Sequence, residues 1–450
     1  MKNIFTVMFF ALCFVMPDVS MAAQQTGECQ YTLPSDELEE IDEILYLKGG
    51  FFSKASPITG TICNYYGSGK LEAATPYKNG KKEGISNEFY ENGKLKAEIP
   101  YKDGNREGTV KLYDASGKLS AEGLFKNDIL EGMNSYDYYE NDKLKSDTPY
   151  KDKKREGIAK QYDESGKLRV EIPYKNDNIE GIYKQYYESG KLERESPYQD
   201  GKEEGIKKLY YASGKLKIEI PYKNDKIEGV AKHYYENGKL KMEAPYKEKK
   251  REGIIKTYYE SGTLKSEEPY KNDNPEGIER TYFESGKLQK ETPYKGGKRE
   301  GIVKLYYESG KLSGEGLFKN DLLEVTKLYY ESGKLQVESP HKEGEKEGIE
   351  KTYYESGKLK IETPYINGIM VGTQKIYSEI GKLDHEASYK NGKLEGQMKS
   401  YRKNGTLFAT FEYKSGSPVS GMCQHTDGTK TPLTNAELTN WNNGLAIECK

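Results

Sequence analysis

The side chains best suited to chemistry in this sequence are four histidines, a recurring Ser-Gly-Lys triplet, five cysteines and 40 tyrosines. Acid–base or nucleophilic catalysis needs a histidine within hydrogen-bonding reach of a serine, cysteine or carboxylate. His233, His341, His385 and His425 stand at unrelated positions with no recurring partner of that kind, and surface substitution is the expected reading of His233 and His341. The triplet, as in Ser189-Gly190-Lys191, has the glycine and lysine of a phosphate-binding loop. It lacks the earlier glycine, and leucine follows where such a loop needs Ser or Thr. Its chemistry is that of a hairpin turn. No catalytic residue and no cofactor is expected.

Cysteine chemistry is confined to the chain ends. Apart from Cys13, the cysteines are Cys29 and Cys63 at one end and Cys423 and Cys449 at the other. These four allow three pairings, and the length of chain between the ends favours Cys29–Cys63 and Cys423–Cys449 in an oxidising compartment. A metal site needs clustered ligands, and only His425 is near a cysteine, so no metal is expected.

The tyrosines are organised by a 24-residue repeat, seen in Gly205-Ile-Lys-Lys-Leu-Tyr-Tyr-Ala-Ser-Gly-Lys-Leu-Lys-Ile-Glu-Ile-Pro-Tyr-Lys-Asn-Asp-Lys-Ile-Glu228. One glycine series opens each copy, from Gly60, Gly84 and Gly108 to Gly396 and Gly421, and a second follows nine residues later. Breakers at Gly205, Gly214, Pro221 and Gly229 leave runs too short for a stable helix. Short runs rich in Tyr, Ile and Leu, closed by Ser-Gly or Asn-Asp, predict strands joined by tight turns. Each copy is then a hairpin of Ile206–Tyr211 and Leu216–Tyr222, with Pro221 placed at the strand's end beside the turn. Leu216, Ile218, Ile220 and Tyr222 form an apolar face. Consecutive tyrosines such as Tyr210 and Tyr211 point to opposite faces and build two rows.

The predicted fold is all-β: an elongated single-layer antiparallel sheet of about 15 tandem hairpins over residues 60–430, with short terminal caps. At roughly 4.8 Å per strand, about 30 strands would extend about 150 Å if straight. Two copies replace the Pro-Tyr ending with Gly123-Leu124-Phe125 and Gly316-Leu317-Phe318, and the opening glycine is missing at Glu324-Val325. Residues 1–22 predict a secretory signal peptide, with Lys2 basic, Ile4–Met16 apolar and Ser20-Met21-Ala22 a cleavage site. That implies a periplasmic, cell-surface or secreted protein. Residues 23–59 predict an N-terminal cap with a helix from Ser35 or Asp36 through Leu45, then a strand led by Gly49-Gly50-Phe51-Phe52. Residues 431–450 predict a C-terminal cap: a helix from Thr434 or Asn435 to Trp441, then a strand over Leu445–Cys449. Such caps cover the unpaired edges of an open sheet.

Charge narrows the function. Lys+Arg of 70 against Asp+Glu of 72 gives a net charge of −2, without the basic excess expected of a nucleic-acid binder. Within a copy lysine and glutamate alternate, which predicts cross-strand ladders of opposite charge.

The unit Gly-x-x-x-x-Tyr-Tyr-Glu-Ser-Gly-Lys-Leu-x-x-Glu-x-x-Tyr-Lys-Asn-Gly-Lys-x-Glu-Gly resembles the MORN repeat variant of bacterial proteins often labelled YwqK-family antitoxins. Gly229 to Glu252 and Gly348 to Gly372 show it well, and the similarity covers roughly residues 58–430. The label implies neutralisation of a partner protein, and MORN-type repeats more broadly imply adaptors for proteins or membrane lipids. No catalytic residues carry over. The expected function is a non-catalytic exported scaffold that binds an unidentified protein partner through Tyr187, Tyr211, Tyr235, Tyr259, Tyr307, Tyr330 and Tyr354. A glycan or lipid ligand is the alternative, although wall-binding hairpin repeats carry a tryptophan in every copy and this chain has one.

Overall fold

A computed structural model of the chain describes residues 29–32, 38–41, 44–48, 55–442, 447 and 449. The predicted leader, Ser35, Asp36, residues 49–52 and Leu445 lie outside the described residues. The chain divides into two compact units, Met1–Gly205 with Ala212–Gly214, and Ile206–Tyr211 with Lys215–Lys450. Each is a single layer of tandem antiparallel hairpins, as the repeat predicts.

A hairpin of the first unit is Gly157–Tyr162 against Leu168–Lys175; one of the second is Gly253–Tyr258 against Leu264–Lys271. The boundaries move slightly from expectation, to Gly205–Tyr210 and Leu216–Lys223. Tyr211 opens the turn instead of ending the strand, its N–H donating to the Lys215 carbonyl at 2.8 Å. The opposite turn, Asn224-Asp225, has φ of 49° and 62°. Two central residues of positive φ make the mirror-image turn that matches strand twist, and Asn and Asp tolerate it better than most side chains.

The proline does not end its strand, contrary to expectation. Pro173 lies inside Leu168–Lys175 and pairs with Ile158. Its missing N–H is accommodated by the next copy. There, pairing passes from Tyr174↔Ile179 to Glu171↔Lys184, so Ile172 and Pro173 face four residues instead of two. The ladder bulges outward where proline has no hydrogen to give. Glu180 N–H still donates to the Pro173 carbonyl at 3.0 Å. The opening glycine sits in this bulge with φ near 110°, and a β-carbon on it would meet the proline ring, as at Gly253, 3.0 Å from Pro245 Cγ.

The two exceptional copies support the same rule. Where Leu124 replaces proline it pairs directly with Gly132, and Phe125 with Leu130, so the bulged strand has one extra residue instead of two. In the second unit Leu317 pairs with Val325 and Phe318 with Leu323 in the same way. The glycine missing at Val325 is therefore not needed. Without a proline beneath it, the position has ordinary strand pairing.

Both ends are covered. At the N-terminus the predicted helix is replaced by strands Leu38–Ile41 and Ile44–Leu47, paired Leu38↔Leu47. The helix loses because the neighbouring hairpin offers backbone partners: Leu45 N–H donates to Gly80 O at 2.9 Å, and Ile58 N–H to Leu45 O at 3.1 Å. An isolated short helix has no comparable compensation for its ordering cost. Tyr31 bridges Ile62 in parallel along the first repeat strand, and Cys29 is bonded to Cys63. At the C-terminus the helix forms as predicted, over Asn435–Asn442. Thr434 Oγ1 accepts from Glu437 N–H at 3.2 Å, and Glu437 Oε2 accepts from Thr434 N–H at 2.8 Å, a reciprocal cap. Under the helix lies a buried cluster of Ala409, Phe411, Tyr413, Leu438 and Ile447, with Trp441 stacked on Phe411 at 4.4 Å. Cys423–Cys449 pins this cap.

Gly253→Ala is expected to cost the local hairpin about 1–3 kcal/mol through strained φ and the crowded Pro245 ring. Amide hydrogen exchange should accelerate over residues 240–258 and stay unchanged two copies away; uniform protection would show that the bulge does not require glycine. Reducing Cys423–Cys449 should loosen the cap by about 3 kcal/mol. The single tryptophan reports it: emission of Trp441 should shift to the red while the β circular-dichroism signal persists, and an unmoved spectrum would show that the disulfide is dispensable.

Candidate interaction surface

Alternation along the strands divides the side chains of each copy between two faces. In the copy opening at Gly253, one face carries Ile254, Lys256 and Tyr258 with Glu267 and Pro269 opposite them. The other carries Ile255 and Thr257 with Ser266, Glu268 and Tyr270. On the first face, lysine and glutamate form the expected cross-strand pairs, such as Lys256–Glu267 at 3.8 Å and Arg280–Glu291 at 3.1 Å. These are exposed pairs and contribute a few tenths of a kcal/mol to about 1 kcal/mol each.

Tyrosine rows form within each unit, and their hydroxyls are committed to neighbouring copies. The first tyrosine of several pairs, and the single tyrosine at the same place in other copies, donates to a glutamate of the preceding copy: Tyr186 to Glu171 at 2.8 Å in the first unit, Tyr234 to Glu219 at 2.8 Å and Tyr282 to Glu267 at 2.9 Å in the second. The second tyrosine reaches forward to a backbone carbonyl. Tyr211 donates to Tyr234 O, Tyr235 to Tyr258 O, Tyr259 to Tyr282 O, Tyr307 to Tyr329 O, Tyr330 to Tyr353 O and Tyr354 to Tyr377 O, at 2.7–2.8 Å. These are the residues expected to face a partner. Tyr187 is half-buried in the same row of the first unit. The geometry gives the row a role in joining copies, with each bond contributing about 1 kcal/mol.

Further joints were not anticipated. The glutamate before each opening glycine accepts from the turn amide of the next copy, as Glu156 from Asn176 at 2.9 Å, Glu252 from Asn272 at 2.8 Å and Glu300 from Asn320 at 2.8 Å. The lysine of Ser-Gly-Lys donates Nζ to a turn carbonyl one copy on, as Lys167 to Glu188 O at 3.1 Å. Arg251 bonds Asp273 through both its amide and its guanidinium, and together they hold that carboxyl below its ordinary range. The signal for these joints was recurrence itself: a charged residue returning at a fixed place beside a turn.

With the tyrosines tied down, the most exposed recurring apolar row is the residue after each opening glycine. Ile158 and Ile182 are each 53% exposed in the first unit; in the second, Ile254 is 50% and Ile302 is 47% exposed. They share the face of the lysine–glutamate pairs; Ile158, Ile182 and Ile254 lie opposite prolines, and Ile302 lies opposite Leu317.

A family model described as the MORN repeat variant matches 14 successive segments, from 58–79, 82–103 and 106–127 to 346–367 and 370–391. The chain belongs to the MORN repeat variant family. Hairpins of the same kind continue past the last matched MORN segment, over Lys393–Tyr401 and Leu407–Lys414. No curated protein matches the sequence. Among solved structures, a TcdB2–TccC3–Cdc42 crystal structure aligns with 86% of this chain and 25% of its own, at 12% identity and a TM-score of 0.16. The Photorhabdus luminescens Tc holotoxin pore aligns with 86% of this chain and 22% of its own, at 13% identity and a TM-score of 0.17. The MORN chain thus spans about a quarter of the length of these structures, and likeness at that level carries no argument about its function.

The first tyrosine row predicts a distinctive alkaline transition. Burial, then the hydrogen bond to glutamate, pushes the phenols of Tyr113, Tyr186, Tyr234 and Tyr329 up to about 12. The folded MORN array favours the neutral phenol, so this contribution is complete below pH 10 and falls as pH rises from 10 toward 12. Absorbance at 295 nm should show a large tyrosine fraction ionising late, together with loss of the β signal. A single step near pH 10 with the sheet intact would refute the coupling.

Proposed function

We propose that this MORN-repeat chain is a non-catalytic exported scaffold that binds a protein partner across the face bearing the isoleucine row. The carrying observation is that row: β-branched side chains left about half exposed, one per copy at Ile158 and Ile182 in one unit and from Ile206 to Ile302 in the other, on a face that carries paired charges. An apolar stripe bordered by satisfied polar groups is the kind of surface that association can dehydrate without orphaning a charge. Repetition adds avidity, because a partner held at one copy meets the next at high effective concentration.

Export is supported by the predicted leader at residues 1–22 and by the two disulfides, which fit an extracellular or periplasmic protein. Immunity-like neutralisation is the narrower form of the same reading, in which the bound partner is a toxin.

The test is affinity capture from native envelope and secreted fractions by the tagged chain lacking residues 1–22. It is run beside a variant with Val230, Ile254, Ile278 and Ile302 changed to threonine, which keeps the β-branched shape. One stoichiometric protein retained by the parent and lost by the variant, both with the same β spectrum, is the expected result. Capture unaffected by the substitutions would move the interface elsewhere, and capture of no protein would remove the partner reading.

A further inference from the structure

The opposite face of the second unit carries a groove that the repeat alone does not explain. It has a volume of about 410 Å³ and is lined by residues that include Tyr235, Tyr259, Lys241, Lys265, Thr257 and Ser266. Along this face the cross-strand pair is His233↔Met242 in the copy before and Leu305↔Gly314 two copies on. Between them it becomes Thr257↔Ser266, then Thr281↔Lys290, and Ala244 gives way to Glu268 at the next inward position. Polar groups have replaced apolar or small ones over adjacent copies.

These groups are linked. Thr257 and Ser266 share a hydrogen bond at 2.6 Å, and Ser266 donates to Glu268 Oε1 at 2.9 Å. Ser266 is 5% exposed, so this hydroxyl chain is fixed in place. At the rim, Lys241 Nζ stands over the Tyr235 ring and Lys265 Nζ over the Tyr259 ring, each at 5.5 Å from the centroid. Neither ammonium has a carboxylate partner among the described residues.

We propose that this groove binds a segment of acidic polysaccharide. Sugar hydroxyls donate readily, and the Thr257–Ser266–Glu268 chain, whose own hydrogens are spent along it, offers them a row of acceptors. Glu268 accepts from a ligand hydroxyl and repels a ligand that is anionic throughout, which disfavours a polyphosphate. The two ammoniums on aromatic supports are placed for carboxylates, and a neutral glycan leaves them without a counter-charge. An acidic peptide fits less well, because strands on both sides of the groove are already paired in the ladder and leave no edge for strand addition. This site is on the other face from the isoleucine row and is independent of it.

The experiment is calorimetric titration of the chain lacking residues 1–22 with an oligogalacturonate of defined length. The comparison ligands are a neutral cello-oligosaccharide of the same length and poly-L-glutamate. Saturable binding of the oligogalacturonate is expected, weakened at least tenfold by combined Lys241→Gln and Lys265→Gln, and severalfold by Ser266→Ala. Lys145→Gln, in the equivalent lysine–tyrosine pair of the first unit, should leave affinity unchanged. No saturation, equal weakening by Lys145→Gln, or equal affinity for the neutral sugar or for poly-L-glutamate would each overturn the proposal.

Discussion

Among the described residues a repeat hairpin has no second layer to bury against, and that absence governs the rest. A conventional domain is held by a shared core; here each copy must find its stabilisation in the copies on either side. The backbone ladder supplies the first part, and the side chains supply the remainder through bonds that reach into the adjacent copy: tyrosine to glutamate, tyrosine to carbonyl, glutamate to turn amide, lysine to turn carbonyl. None is strong alone. Their recurrence gives each neighbour interface several, which is how a chain with 34% hydrophobic residues can hold ordered hairpins.

This constraint also explains the composition. Tyrosine suits a half-covered sheet because its ring contributes apolar area while its hydroxyl satisfies a partner at distance. Proline and glycine operate as a pair: proline removes a ladder hydrogen bond, the following copy bulges, and glycine occupies the bulge against the proline ring. Where Leu124 and Leu317 stand in place of proline, the larger bulge disappears. The C-terminal cap departs from the pattern, with a small conventional core around Phe411.

The hairpins, their register of 24, both disulfides and the C-terminal helix were legible in the sequence, because each rests on local chemistry: turn residues, alternation, capping and proximity along the chain. The N-terminal cap was not. Leu38, Ile41 and Leu45 have helical spacing, but backbone partners at Ile58 and at the Gly80 turn decide in favour of strands, and no local pattern records partners that distant. The tyrosine rows are legible from the even period, which returns equivalent tyrosines to one face. Their hydroxyl partners lie in adjacent copies, and the exposed row turned out to be the plainer isoleucine beside the glycine. The groove was invisible for a related reason, since Thr257, Ser266 and Glu268 differ from neighbouring copies only modestly and gain meaning once aligned on one face.

The near-identity of successive copies has a further consequence for anything that binds them. A uniform array is a track without mileposts: a ligand fitted to one copy fits the next, so it can shift along by whole periods and keep the same contacts. Position is defined only where the period is broken. Copies lacking proline, such as those with Leu124 in one unit and Leu317 in the other, are such breaks. They give an otherwise featureless lattice fixed addresses from which a bound molecule could be located.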